Sequence, residues 1–339
     1  LPDLHALAAH GRWMRAFPEL RRGLKRGFTF YHQQANTPYS NDAANHARLL
    51  VAASPNDAVA DTHWLRADVD HHLVREAVAA GVDYRESAEI ETVALDTAGV
   101  DLRGRSGGKP FAEVVDFVID ASGPARVLAR HLAIPSALRK LRTRSALLYG
   151  HFRGVRSFED VGSEEGAKMP EGPYPDHHAA VHHLLREGWM YLLAFDHGVT
   201  SAGFLLAPDL KTGIDPQWAA VHPDAAWRRL LQRYPSIEKQ FAEATPLFPI
   251  GFRPMIQHRM AAAAGPRWAV LPHTFAFVDP LFSTGIAWSL LGVERLALAF
   301  ESTTKRGRLP EPATLARYQK LLAAEADQID RLVCGGYLS

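Results

Sequence analysis

The chain has 339 residues, 47% of them hydrophobic and 22% charged, with a formal net charge of +1. That length suits two domains sharing a sizeable core, and so even a charge balance excludes a general pull toward nucleic acid or an anionic membrane surface. Its single cysteine, Cys334, excludes an internal disulfide framework, reads as an inert thiol and fits a reducing, cytoplasmic setting.

In chain order, residues 3–16 have helical spacing that ends at Pro18. The chain opens Leu-Pro-Asp-Leu, without methionine and already in helical pattern, so it reads as N-terminally truncated. Gly27 to His32 alternates and is aromatic, as a strand does. Residues 34–62 are polar and loop-like, and His63 with Asp61 reads as a common surface pair. Val69, Leu73, Val74 and Ala77 make a helix of residues 67–80, stopped by Gly81. Short strands are predicted at 82–85, 90–95 and 99–103, then a turn at Ser106-Gly107-Gly108. Val114 to Ile119 is a near-continuous apolar run, the mark of a strand buried on both faces of a parallel sheet.

Four alternating runs, 147–152, 181–185, 189–195 and 201–206, predict an antiparallel sheet interrupted by a Pro/Gly-rich loop at 162–176. Residues 216–244 are helical, with Trp218, Trp227, Leu230 and Leu231 as the core stripe. A strand at 267–271 and helices at 284–301 and 311–331 close the chain. No run reaches the ~18 apolar residues that span a bilayer. The nearest, Ile286 to Phe300, contains Glu294 and Arg295 and reads as a buried helix. Strands alternating with helices around an antiparallel block predict an α/β domain carrying an inserted β-rich domain.

The segment Phe277-Val278-Asp279-Pro280-Leu281-Phe282-Ser283-Thr284-Gly285-Ile286 lies between a strand and an apolar helix. Pro280 stiffens the approach, and Ser283 or Thr284 can cap the helix. Gly285, without a Cβ, lets a flat ligand come close to the backbone. First-turn amides at the positive end of the helix dipole make an anion site, suited to a reduced flavin or to halide. By local physics alone, the same segment also reads as a plain strand-to-helix turn.

This segment resembles the Phe-x-x-Pro-x-x-Ser-x-Gly signature of flavin-dependent halogenases, matched by Phe277, Pro280, Ser283 and Gly285. Three further segments resemble that family in order and spacing. Lys25-Arg26-Gly27-Phe28-Thr29-Phe30 places Lys25 on the essential lysine, at a junction where burial could free it to act. Arg66 and Asp70 match an Arg-x-x-x-Asp helix, and Asp120-Ala121-Ser122-Gly123 matches a second flavin-contacting turn. By charge pattern alone Lys25, within Arg21-Arg22-Gly23-Leu24-Lys25-Arg26, belongs to a solvated basic face.

The resemblance implies an FAD-binding α/β fold of the aromatic-hydroxylase type lacking its first βαβ unit. It assigns residues 63–142 plus 262–339 to the FAD-binding-like domain and 23–62 plus 143–261 to a substrate-side domain. It implies halogenation of an electron-rich aromatic or pyrrole substrate through a flavin C4a-hydroperoxide and hypohalous acid, with Lys25 presenting the halogen. Arg66, Ala121, Ser122, Gly123, His273, Pro280, Ser283, Thr284, Gly285 and Ile286 are the expected FAD contacts. Thr284 and Gly285 would also hold chloride or bromide, and a partner flavin reductase would supply reduced FAD.

Departures from the pattern keep alternatives open. No Gly-x-Gly-x-x-Gly occurs, so weak FAD binding is expected of the chain as it stands. Pro272-His273 stands where related flavoproteins carry Gly-Asp, and Pro272 offers no backbone N–H. Of the Trp-x-Trp-x-Ile-Pro segment of halogenases, only Trp189 is kept. Phe282 replaces an acidic residue of tryptophan halogenases, which favours the phenol or pyrrole branch or no halogenation at all. A monooxygenase, a reductase of the geranylgeranyl type and a non-catalytic flavoprotein-like domain remain the alternatives. The pairs His71-His72, His177-His178 and His182-His183 carry no recognisable ligand set, and no metal is expected.

Overall fold

The computed structural model describes residues 2–207, 213–304 and 308–338. The chain divides into two units, Leu1–Asp83 with Ala146–Met255 and Tyr84–Ser145 with Ile256–Ser339.

In chain order the first unit begins with α1 (His10–Ala16), β1 (Arg22–Lys25), β2 (Gly27–His32), β3 (Arg48–Ala52), β4 (Asp61–Trp64) and α2 (Arg66–Ala79). The second unit contributes β5 (Ala88–Leu95), β6 (Val100–Ser106), β7 (Lys109–Val115), β8 (Val118–Asp120) and α3 (Val127–His131). The first unit resumes with β9 (Ala146–Arg153), α4 (Phe158–Glu164), β10 (Ala180–Leu185), β11 (Gly188–Ala194) and β12 (Val199–Leu206). It ends with α5 (Pro216–Val221), α6 (Pro223–Gln232), α7 (Pro235–Gln240), β13 (Thr245–Pro246) and β14 (Gly251–Arg253). The second unit closes with β15 (His258–Arg259), β16 (Ala264–Gly265), β17 (Trp268–Val270), α8 (Pro272–Phe275), β18 (Ala276–Phe277), α9 (Gly285–Thr304) and α10 (Pro312–Leu338).

In the first unit a sheet runs β13-β9-β12-β11-β10-β2-β3, with β14 also paired to β9. Alternation gives it two distinct faces. Tyr31, Leu148, Phe152, Met190, Leu192 and Phe204 point toward Trp227, Leu230 and Ile237 of the covering helices and form the main core. Phe28, Phe30, His182, Trp189, Tyr191 and Tyr149 therefore lie on the opposite face. The single helix predicted at 216–244 is three helices. Pro216, Pro223 and Pro235 each sit in a first turn, where a missing N–H is tolerated but the previous helix cannot continue. Trp218, expected in the core stripe, is exposed, whereas Trp227 and Leu230 are buried.

Two strands, β3 and β4, form where a loop was predicted, β3 against β2 and β4 against β1. Residues 63–83, expected from sequence in the FAD-binding-like domain, group with the first unit through this second pairing. Residues 143–145 and 256–261, expected on the substrate side, group with the second.

In the second unit β5, β6 and β7 form an antiparallel sheet, while β8 pairs parallel with β17. The apolar run 114–119 is thus two strands, and the expectation of burial on both faces fails: Val114 is 74% and Ile119 44% exposed. Residues 82–85 form no strand. The core of this unit gathers Trp268, Val270, Phe275, Trp288, Leu296, Leu315 and Leu322. Helix α9, expected to be buried, exposes Leu290, Leu291, Val293 and Leu298. No helix among the described residues is long and apolar enough to cross a membrane.

Candidate active site

In the first unit the chain changes sheets at Arg26, between β1 and β2. The Arg26 amide donates to the His178 carbonyl at 2.7 Å, and its guanidinium pairs with Asp57 at 2.6 Å. Two glycines make the crossing feasible. A Cβ on Gly23 would collide with the Ala194 carbonyl oxygen, and one on Gly27 with the Val51 carbonyl oxygen. Lys25, the last residue of β1, is held just before this step.

The Lys25 ammonium forms an ion pair with Asp61 at 2.9 Å and lies 4.8 Å from the centre of the Phe28 ring. Its side chain is 12% exposed, although that of Asp61 is 61% exposed. The basic cluster is therefore not a uniformly solvated face. Asp61 is itself oriented by the Thr62 amide, which donates to its other oxygen at 2.8 Å.

Beside this pair are two buried imidazoles. Burial pushes His63 down to about 4, against a weak opposing hydrogen bond to the Ala194 carbonyl at 3.3 Å. His182 is likewise pushed down to about 4 by burial, and it stacks on Phe30 at 4.8 Å and lies 5.2 Å from Trp189. Asp61 and His63 are thus more than a surface pair, since His63 is buried. Sequence reasoning passed over them because their role depends on pairing with β1. His182 and His183 point to opposite faces, as expected of neighbours on a strand, and His183 joins Tyr31, Phe158 and Gln240. Arg66 opens α2 and pairs with Asp70 at 2.7 Å, both largely in solvent.

In the second unit three of the predicted segments meet. After β8, Asp120 accepts from the Ser122 amide at 2.8 Å and from the Leu128 amide at 2.8 Å, tying the turn to α3. The Gly123 amide donates to the Thr274 hydroxyl at 2.9 Å. Gly123 has φ +57°, and no atom lies within 4 Å of where its Cβ would be. Ala121 is exposed, and Ser122 is half-buried with its hydroxyl accepting from the Val127 amide at 3.0 Å.

The signature loop enters α9 through Ser283, an exposed residue at φ +53°, a left-handed conformation that a serine adopts only under constraint. Its amide donates to the Pro280 carbonyl at 2.9 Å. Thr284, Gly285 and Ile286 follow, half-buried, as the first turn, whose amides have no partner within the helix. The His273 ring stands against this start, its Nε2 2.7 Å from where a Gly285 Cβ would lie. Here His273 takes the position that the resemblance gives to an aspartate, and Pro272 supplies the first residue of the four-residue helix α8.

Gly123 leaves an open approach to the backbone and the start of α9 offers amides to an anionic edge, which fits a flavin. The close approach expected at Gly285 is not open on its Cβ side, because the His273 ring fills that space. Among the described residues no cluster suited to a metal ion occurs.

Asp279 was not singled out by the sequence, yet it holds the signature loop from beneath. Its buried carboxyl accepts from the Ser145 hydroxyl at 3.0 Å, the Tyr337 hydroxyl at 2.9 Å and the Leu281 amide at 3.1 Å. Gln257 braces the same cluster by donating to Ser145 and to the Val278 carbonyl. Burial outweighs these bonds and raises Asp279 to about 6. A carboxyl whose folded pKa lies above its unfolded value favours folding at low pH, and the advantage fades as pH rises through the folded pKa. Relative to Asp279→Asn, the natural protein should lose about 3 kcal/mol of stability between about pH 4 and about pH 7. Denaturant titrations of both proteins at the two pH values check this, and parallel pH profiles would contradict it.

No family model matches the chain. In sequence it is similar to the tetracycline 7-halogenase of Kitasatospora aureofaciens, 25% identical over 268 residues, covering 78% of this chain and 46% of that protein. It is also similar to the monodechloroaminopyrrolnitrin halogenase PrnC of Pseudomonas fluorescens, 26% identical over 282 residues, covering 81% of this chain and 47% of that protein. The chain thus spans about half the length of these relatives. In structure it is similar to halogenase PltM in complex with phloroglucinol and FAD, with TM-score 0.86 and 24% identity over 99% of this chain and 64% of that one. The myxobacterial chondrochloren halogenase CndH follows with TM-score 0.72 and 19% identity, covering 97% of this chain and 69% of that one. The mixed α/β fold is that of these FAD-dependent enzymes.

Proposed function

For a chain related in sequence to flavin-dependent halogenases and sharing their fold, we propose the same chemistry: halogenation of an electron-rich phenol or pyrrole with FAD, dioxygen and chloride or bromide. The observation that carries this reading is Lys25, enclosed at the step between two sheets and bordered by Phe28 on the aromatic face.

Gly123, His273, Pro280 and the first turn of α9 would hold FAD, with Ala121, Ser122 and Arg66 as further contacts. The amides of Thr284 and Gly285 would take the halide, since helix starts favour anions. Bound and reduced, FAD activates dioxygen and, with halide, supplies hypohalous acid. Lys25 Nζ then donates a hydrogen bond to that acid and fixes the halogen toward the ring of the substrate. A partner flavin reductase would supply reduced FAD, and the reading places the enzyme in the cytoplasm.

Phloroglucinol, the phenol bound to PltM, is the first substrate to test. With FAD and a flavin reductase, product should form only when chloride or bromide is added. Product formed equally without halide would favour the monooxygenase reading, to which the missing second tryptophan and the missing proline after Trp189 lend support.

A further inference from the structure

We propose that His63 is a second catalytic residue, its Nε2 accepting the hydroxyl hydrogen of hypohalous acid while Lys25 Nζ donates to the oxygen of the same molecule. The proposal rests on the halogenase reading above. In the β1–β4 ladder Gly23 lies opposite His63 and Lys25 opposite Asp61, so Lys25, Asp61 and His63 share one face. The charges of Lys25 and Asp61 both act on the His63 ring.

The hydrogen on that ring can be placed. His63 Nδ1 lies 3.3 Å from the Ala194 carbonyl oxygen, which can only accept, so Nδ1 carries the hydrogen and Nε2 keeps its lone pair. This Nε2 is buried and has no hydrogen-bond partner among the described residues. A buried acceptor without a donor is costly, so the position selects a small molecule that brings an O–H. With Lys25 as the neighbouring donor, that molecule must also accept at its oxygen. Hypohalous acid meets both demands.

The weak basicity of His63 suits the role. A ring held near pH 4 by burial accepts the hydrogen bond without taking the proton, so the acid is not converted into the less electrophilic hypohalite. In the transfer, the halogen–oxygen bond breaks as the carbon–halogen bond forms. The oxygen leaves with the electron pair of the broken bond and takes a proton from Lys25, becoming water. The ring carbon then releases its proton to the Lys25 amine, restoring the ammonium.

The test uses the holoenzyme with FAD, a flavin reductase, chloride and phloroglucinol, with a soluble 1,3-dione present to trap escaping hypohalous acid. His63→Leu should lower chlorinated product per oxygen consumed about tenfold, the worth of one hydrogen bond, and the lost chlorine should appear on the trap. His63→Gln, whose amide oxygen can accept, should keep most of the yield. If the leucine variant does not fold, His63→Asn, with its shorter reach, takes its place. Natural yield in the leucine variant, as expected if water alone occupies the position, overturns the proposal, and so does an equal loss in the glutamine variant. A natural enzyme that chlorinates nothing overturns the underlying reading instead.

Discussion

Lys25→Ala should lower halogenated product by a factor of about 100 or more, the usual range for removing a positioned proton-transfer group, while reduced flavin continues to be oxidised. The two readouts separate because Lys25 belongs to the first unit, whereas the expected flavin contacts of the Gly123 turn and α9 belong to the second. Loss of the side chain also frees Asp61 and uncovers Phe28, but neither change alters the amides at Thr284 and Gly285. Product analysis alongside oxygen consumption checks this. Undiminished product in the alanine variant would remove Lys25 from the chemistry.

The largest loss of stability is expected at Arg48, far in character from the active residues. Arg48 and Asp176 form an ion pair in which the side chains are 3% and 2% exposed. Asp176 also accepts from the Tyr31 hydroxyl, and Arg48 donates to the Pro170 carbonyl at 2.6 Å. This satisfied network fastens β2, β3 and the segment before β10. Arg48→Met would leave a carboxylate buried without its partner, at a cost of about 3–5 kcal/mol. Replacing both partners, Arg48→Met with Asp176→Leu, should recover much of that loss, because no charge then stays buried. Urea unfolding of the single and double variants checks both statements, and a double variant no more stable than the single one would show that the Tyr31 contact matters more than the ion pair.

What the sequence disclosed was local. The strand-loop-helix junction at Phe277–Gly285 was legible because proline, serine and glycine each constrain the backbone within a few residues. The sheet strands β9 to β12 were legible as apolar and aromatic runs set between turn residues, although burial alternates strictly along β9 alone of the four. What escaped depended on distant partners. Strands β3 and β4 are short, and only pairing with β2 and β1 makes them strands. The run 114–119 hid a change of sheet because every residue in it but Asp116 is apolar. Asp279 looked like a loop residue until Ser145 and Tyr337 were brought onto it from elsewhere in the chain. His63 looked superficial until β4 turned it inward, whereas Asp61, on the same face, does remain mostly in solvent.

The decisive measurement is the mass spectrum of phloroglucinol after incubation with the natural holoenzyme, FAD, a flavin reductase and chloride. The account predicts a product carrying the paired isotope peaks of chlorine, absent when Lys25 is alanine. A product that has gained oxygen and no chlorine would contradict it.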